Sequence, residues 1–66
     1  MTKKEAIAFA ISTGRPITHT TFGSEEYVRY EGKDLIDEKG YFLPITEFWG
    51  LRSGGIWESG WTEYKQ

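Results

Sequence analysis

The sequence contains no cysteine and only one histidine among its 66 residues. The absence of cysteine excludes disulfides and all thiolate-based zinc, haem or redox motifs, and one histidine cannot build a histidine-rich metal site. A domain this small buries only about 60% of the surface that its unfolded chain exposes, so it needs further support. Tight packing and self-association remain, and three Trp, four Tyr and four Phe suit both. The sequence predicts one domain, residues 1–66, with no cofactor.

Long hydrophobic segments are also missing. The longest uncharged run, residues 6–14, is far shorter than the roughly 20 residues that span a bilayer. Glu5 interrupts the N-terminal pattern of a signal peptide, and no cleavage-type segment follows. The sequence therefore predicts a soluble, cytoplasmic protein without a membrane partner.

Clustered basic residues are the third absence. The formal net charge is -2, from eight Lys/Arg and ten Asp/Glu. Residues 1–16 carry a balance of +2, whereas residues 17–47 carry seven acidic and three basic side chains, a balance of -4. Nucleic-acid-binding proteins neutralise phosphates with clustered Lys and Arg. Direct binding to DNA or RNA is therefore disfavoured.

The first element that the sequence encodes is a helix over residues 3–13. Thr2 and Glu5 have the spacing of a capping box, in which each residue binds the other's backbone amide. Gly14 suits the end of the helix, and the proline at 16 cannot continue it. The face formed by Ile7, Ala10 and Ile11, widened by Phe9, is expected to be buried.

The rest of the chain predicts short strands. Strands are expected at residues 17–22, 26–31 and 34–37, with a tight turn at 32–33, and a short apolar run follows at 41–43. Pro44 is expected to open a helical turn near 44–52. Residues 53–55 are predicted to form a loop, with extended segments at 56–57 and 61–64. The predicted fold class is α+β: an N-terminal helix packed on a small, mostly antiparallel sheet.

Candidate catalytic groups are few. His19 would need an acidic partner and a nucleophile to act as a general base, and a strand-surface residue hydrogen-bonded to neighbouring threonines is the favoured interpretation. No serine lies in a nucleophile-elbow context. Residues 52–55 offer an arginine beside two glycines, yet lack the lysine of a phosphate-binding loop. The acidic residues lack the ligand order of a calcium loop, and they fit a solvated face or steering toward a basic partner. An enzyme is therefore not predicted.

The aromatic residues give the strongest indication of function. Nine of them lie between residues 27 and 64, and Trp and Tyr are enriched where proteins bind each other. A partner-binding surface is predicted in the C-terminal third, with Trp57 and Trp61 as anchors and Arg52 beside them. Trp61 is expected to be the more buried of the two anchors. The predicted surface also includes Trp49, Tyr30, Glu31 and Asp34.

Several short segments resemble the small accessory proteins of tailed phages. They are Glu5-Ala6-Ile7, Ile17-Thr18-His19, Glu26-Tyr27-Val28, and the tail Glu47-Phe48-Trp49 continuing through Arg52 and Trp57 to Gly60-Trp61-Thr62-Glu63. The opening helix and strand are also similar to the phage anti-Thoeris sponges, which sequester a cyclic nucleotide signal. The resemblance implies a host-takeover or anti-defence protein, and it carries over no active residue.

These observations lead to one main hypothesis and several alternatives. The main hypothesis is a non-enzymatic phage protein that binds and inhibits a host defence protein through an aromatic and acidic surface. The first alternative is a sponge that holds a nucleotide signal at an oligomer interface, with Arg52 or Arg29 meeting the phosphate. A structural interaction module and an enzyme complete the set. Self-association as a two-fold dimer is expected, because many large aromatics without a disulfide or a metal make a lone monomer of this length hard to stabilise.

Overall fold

The structure is a computed structural model that describes residues 1–65. It confirms the predicted α+β class: an N-terminal helix packs on a five-stranded antiparallel sheet, with a second short helix and a 3-10 helix. In chain order the elements are α1 (Lys3–Thr13), β1 (Ile17–His19), β2 (Val28–Glu31), β3 (Asp34–Asp37), β4 (Phe42–Leu43), α2 (Ile45–Leu51), the 3-10 helix (Gly55–Glu58) and β5 (Trp61–Glu63). None of the helices in residues 1–65 is long and apolar enough to cross a membrane.

Helix α1 begins and ends at the predicted residues. The Thr2 hydroxyl accepts from the Glu5 backbone N–H at 3.1 Å, and the Thr2 backbone N–H donates to the Glu5 carboxylate at 2.9 Å. Gly14 closes the helix at a φ of 70°, a left-handed conformation in which glycine has no Cβ to clash. The capping box and the glycine stop are thus confirmed.

The buried face of α1 differs from the predicted one. Ala6 and Ala10 have no exposed surface, while Ile11 is 56% exposed. Ile7 and Phe9 pack against the edge of the core and are partly buried. The prediction that Ile11 faces the core is wrong, because the two small alanines face the sheet and the larger side chains lie beside this contact.

The sheet has the strand order β4-β3-β2-β1-β5, and all neighbouring strands are antiparallel. Strands β2 and β3 form the predicted hairpin, in which Glu31 faces Asp34 across the two-residue turn. The last strand of the chain pairs with the first, and Ile17 lies opposite Glu63. This pairing brings the C-terminal segment back across the start of the sheet.

Two strands are shorter than the sequence predicts. Strand β1 ends at His19, since the Phe22 backbone N–H donates to the His19 carbonyl oxygen at 2.9 Å and turns the chain. Strand β2 begins at Val28 instead of residue 26. Helix α2 begins after Pro44, as predicted, and Phe48 donates its backbone N–H to the Pro44 carbonyl oxygen at 2.8 Å.

The segment after α2 corrects another prediction. Residues 56 and 57 are helical instead of extended, within the 3-10 helix Gly55–Glu58. The Glu58 carboxylate accepts from the Gly54 backbone N–H at 2.9 Å, and the Trp57 backbone N–H donates to the Gly54 carbonyl oxygen at 3.1 Å. These local hydrogen bonds close a turn that the apolar pattern did not indicate.

The core lies between one face of the sheet and the helices. Its buried members are Ala6, Ala10, Ile17, Val28, Tyr30, Leu35, Phe48, Trp49 and Trp61. On the opposite face, Ile36 is buried between Arg29 of β2 and Phe42 of β4, its cross-strand neighbours. Four of the nine core residues are therefore aromatic, and five are aliphatic.

Candidate functional site

His19 lies in an aromatic cluster instead of on a strand surface. It is 3% exposed, and its ring centroid lies 4.5 Å from that of Trp57 and 4.7 Å from that of Trp61. Phe22 lies at the edge of the same cluster, with its ring centroid 6.1 Å from the imidazole. The predicted surface position of His19 is thus wrong. Packing with the two indoles draws the ring into the core.

The hydrogen bonds of His19 define which nitrogen carries the proton. Nδ1 accepts from the Thr21 backbone N–H at 3.1 Å and lies 2.9 Å from the Thr21 hydroxyl. The proton is therefore assigned to Nε2, which donates to the carbonyl oxygens of Ile56 at 3.0 Å and Ser59 at 2.8 Å. Both nitrogens are occupied, so His19 joins β1 to the 3-10 helix and presents no base to a substrate.

Three of the predicted partner-binding residues lie in the core. Trp61 is 0%, Tyr30 7% and Trp49 8% exposed. The Trp49 indole N–H donates to the Tyr30 hydroxyl at 2.9 Å, and the Trp61 indole N–H donates to the Trp57 carbonyl oxygen at 2.8 Å. Rings that are buried and whose indole N–H groups are satisfied are structural residues, so none of the three supplies an anchor for a partner.

Trp57 and Arg52 do lie close together, as predicted. The Arg52 guanidinium carbon is 4.0 Å from the Phe48 ring centroid and 5.4 Å from the Trp57 ring centroid. Arg52 Nη1 also donates to the Phe48 carbonyl oxygen at 3.3 Å, while Nε is buried without a partner. Trp57 itself is half-buried against the core. Stacking on Phe48 thus holds the arginine near the end of α2.

Glu31 and Asp34 are exposed but lie elsewhere on the sheet. They face each other at the tip of the β2–β3 hairpin. Val28 and Asp37 lie at the other end of the same two strands, where they line a groove together with Arg52. The structure therefore separates the two predicted acidic residues from the predicted aromatic and arginine residues.

A groove that the sequence did not predict runs along α2 at this second end of the hairpin. It has a volume of about 290 Å³. Its lining, which defines the acidic groove, comprises Glu26, Val28, Asp37, Glu38, Leu43, Pro44, Glu47, Phe48, Leu51 and Arg52. Five of these residues are apolar and four are carboxylates, so the groove combines an apolar wall with a negative charge.

Within the described residues 1–65, the carboxylates of the acidic groove form no ion pair with a cationic side chain. The one ion pair within residues 1–65 joins Arg15 to Glu63 at 3.2 Å, outside the groove. Asp37 accepts from two backbone amides, those of Lys39 and Tyr41, at 2.9 and 3.0 Å. These neutral donors stabilise the carboxylate without cancelling its charge.

A second, shallower hollow of about 670 Å³ adjoins the groove. It is lined by Gly23, Glu25, Glu26, Tyr27, Glu38, Lys39 and Tyr64, and it shares Glu26 and Glu38 with the groove. The rings of Tyr27 and Tyr64 lie 4.6 Å apart, centroid to centroid. The hollow thus shares two carboxylates with the groove, and its other two charged residues, Glu25 and Lys39, are of opposite sign.

Exposed apolar side chains are concentrated in the part of the sequence that also supplies the groove residues 43–52. Leu51 is 79%, Phe42 72% and Tyr41 68% exposed. With Ile45, four of the seven exposed large hydrophobic residues in the described chain lie within residues 41–51, which we call the exposed segment. The sequence predicts an apolar run at 41–43, which a core strand would also show. The exposure of Tyr41 and Phe42 shows that these two side chains do not belong to the core.

No group of three or more His, Asp or Glu side chains within residues 1–65 is arranged to hold a metal ion. Comparison of the chain with protein-family models, with curated proteins and with solved structures finds no match.

Proposed function

We propose that this chain is a non-enzymatic protein that binds a partner protein of the host through the exposed segment and the acidic groove, and inhibits that partner. The observation that carries the proposal is the exposure of Tyr41, Phe42 and Leu51 in a chain whose other aromatic residues largely form a core. Burial of a large apolar side chain in an interface contributes about 1.5–3 kcal/mol. Exposed apolar residues often mark protein interfaces, and four of the seven large ones in the described chain lie within residues 41–51.

The phage origin and the host cytoplasm as the place of action rest on the resemblance of the sequence segments to phage accessory proteins. Inhibition by occupying a partner needs no catalytic residue, which agrees with a histidine whose two nitrogens are both bonded within the fold. Self-association is part of the same proposal. Trp49 and Trp61 are enclosed by a single chain, so a self-contact would use exposed side chains such as those of the exposed segment.

The nucleotide-sponge alternative finds less support in the charge distribution. A phosphate needs a cationic site, and Arg52 is the single cation of the acidic groove beside four carboxylates. An anionic ligand would therefore meet a net negative surface. Mass spectrometry of small molecules released from the denatured protein tests this alternative directly.

The proposed function can be tested by capture from host lysate with matched variants. Phe42→Ser combined with Leu51→Ser removes two exposed side chains of the exposed segment. Ile11→Ser combined with Ile56→Ser removes two that are 56% and 62% exposed on other elements. We expect a partner that binds the wild type and the control pair, and is lost with the first pair. Equal capture by both variants would contradict the proposal.

A further inference from the structure

We infer that the acidic groove binds a segment of the partner that carries a lysine or arginine next to an apolar residue. This inference rests on the proposed function, and it names the chemistry of the partner. It follows from the combination of two features in one groove: an apolar wall and carboxylates without cations.

The wall of the groove suits the stem of a long cationic side chain. Val28 and Phe48 are buried beneath it, and Leu51 lies at its exposed end. Lysine and arginine cover apolar surface with their methylene stems while the charged end reaches polar groups. A neighbouring apolar residue of the partner would cover Leu51, which is 79% exposed.

The charge of the groove selects a cation over an anion. Four carboxylates, those of Glu26, Asp37, Glu38 and Glu47, line it with the single cation Arg52, a balance of -3. Like charges held together without counter-charges repel one another, and a cation placed among them relieves this repulsion. The adjoining hollow adds Glu25 and Lys39, which leaves the balance unchanged.

Arg52 is already committed within the fold. Its guanidinium stacks on Phe48 and donates to the Phe48 carbonyl oxygen. Because it lies more than 4.0 Å from the groove carboxylates, it does not neutralise any of them by an ion pair. The groove therefore presents its carboxylates to a second molecule.

The test uses the full chain and three blocked hexapeptides as probes, followed by NMR titration. The first peptide alternates leucine and lysine, the second serine and lysine, and the third leucine and glutamate. We expect only the leucine–lysine peptide to bind, with shifts in the amides of residues 43–52 and weaker binding at higher salt. Equal binding by the serine–lysine peptide, or binding by the leucine–glutamate peptide, would overturn the inference.

Matched charge variants locate the effect. Glu26→Gln with Glu47→Gln removes two groove charges, and Glu31→Gln with Asp34→Asn removes two at the hairpin tip, with the same change in net charge. All four side chains are exposed, so both variants should fold, which circular dichroism checks. We expect the first pair to weaken peptide binding roughly five- to tenfold and the second less than twofold. Equal weakening by both pairs would overturn the inference, because it would show an effect of net charge alone.

The two proposals fail in different ways. If the captured partner depends on Phe42 and Leu51 but not on Glu26 and Glu47, the inference about the cation fails and the proposed binding through the exposed segment stands. If the partner depends on neither pair, the proposed function fails. Self-association of the protein that disappears with the Glu26 and Glu47 variant would assign the groove to a second copy and overturn the inference.

Discussion

The cluster around His19 and the exposed segment contain similar residue types in opposite surroundings. In the cluster, Trp61 has no exposed surface and its indole N–H is hydrogen-bonded within the fold. In the exposed segment, Phe42 and Leu51 keep more than 70% of their surface, 72% and 79% respectively. An aromatic-rich sequence is therefore not by itself a binding surface. The position of each ring in its strand or helix decides whether it is buried in the core or exposed.

The comparison also separates two uses of charge. The buried cluster contains one ionisable ring, His19, with both nitrogens bonded. The acidic groove gathers four carboxylates without an ion pair. Polar groups in the first region stabilise the fold. Three of the four groove carboxylates also accept backbone N–H groups, yet they keep their charge without an ion pair within residues 1–65.

The largest expected effect contrasts Trp61→Ala with Leu51→Ala. Removal of the buried indole should lower the free energy of unfolding by about 3–5 kcal/mol, because it leaves a cavity among Trp49, Trp57 and His19. Removal of Leu51 should change it by about 0.5 kcal/mol or less. Urea denaturation measures both. A large loss for Leu51→Ala would show that the exposed segment is part of the core.

The second prediction concerns Gly60 and Gly40, which have nearly the same φ, 87° and 85°. A Cβ at Gly60 would meet the Thr20 hydroxyl at 3.0 Å and His19 Nε2 at 3.1 Å, whereas a Cβ at Gly40 would meet nothing within 4 Å. Both changes to alanine should cost about 1–2 kcal/mol of backbone strain. Gly60→Ala should lower the free energy of unfolding further than Gly40→Ala, because its Cβ would also crowd Thr20 and His19.

Thermal denaturation of the two glycine variants isolates this contact, since the backbone cost is shared. Equal decreases in the thermal midpoint would mean that the cluster around His19 accommodates the added Cβ at no greater cost than the exposed turn. That result would remove the contrast between the two regions.

The third prediction removes the hydrogen bonds of His19 but keeps a flat ring. His19→Phe should lower the free energy of unfolding by about 1–3 kcal/mol, because the carbonyl oxygens of Ile56 and Ser59 lose their donor. Thr21→Val, which removes only the hydroxyl beside Nδ1, should have a smaller effect. An unchanged free energy of unfolding for His19→Phe would show that ring stacking, without these hydrogen bonds, is enough to hold the 3-10 helix.

The fourth prediction lies at the start of α1, which covers the buried region. Thr2→Ala should cost about 1 kcal/mol, because the hydroxyl that accepts the Glu5 N–H is lost. Denaturation midpoints of this variant and of Ser24→Ala, a change in an exposed turn, provide the comparison. An unchanged midpoint for Thr2→Ala would contradict the contribution of the capping box.

The smallest effect is the pH dependence of the same cap. The backbone N–H of Thr2, and then its hydroxyl, hold the pKa of Glu5 below its ordinary value in the fold. The carboxylate therefore stabilises the fold above the pKa of the unfolded state, about 4.3, and this contribution is lost as the pH falls through the lowered pKa. Thermal midpoints of wild type and Glu5→Gln should differ at neutral pH and converge in acid. A constant difference across this range would contradict the shift.

Local sequence signals were sufficient for several elements. The capping box of Thr2 and Glu5 predicted the start of α1, and Pro44 predicted the start of α2. The hairpin of β2 and β3 followed from alternation and a two-residue turn. Each of these signals depends on residues within a few positions of one another, so a single sequence contains what is needed to recognise it.

Other features were decided only when distant segments met. The pairing of Ile17 with Glu63 carries Trp61 into the core, where it is more buried than Trp57, as predicted. The burial of Trp49, which the sequence placed on the partner surface, was not predicted. The buried position of His19 depends on carbonyl oxygens 37 and 40 residues away in the chain. These are effects of packing between elements, which a pattern within one element does not contain.

The candidate site shows the same division. The sequence by itself determined that residues 17–47 carry excess negative charge and that 41–43 are apolar. Only the tertiary structure decided that Glu26, Asp37 and Glu47, from three parts of the chain, share one groove with Leu51. Charge and hydropathy belong to each residue, whereas exposure and proximity belong to the folded arrangement of the strands and helices.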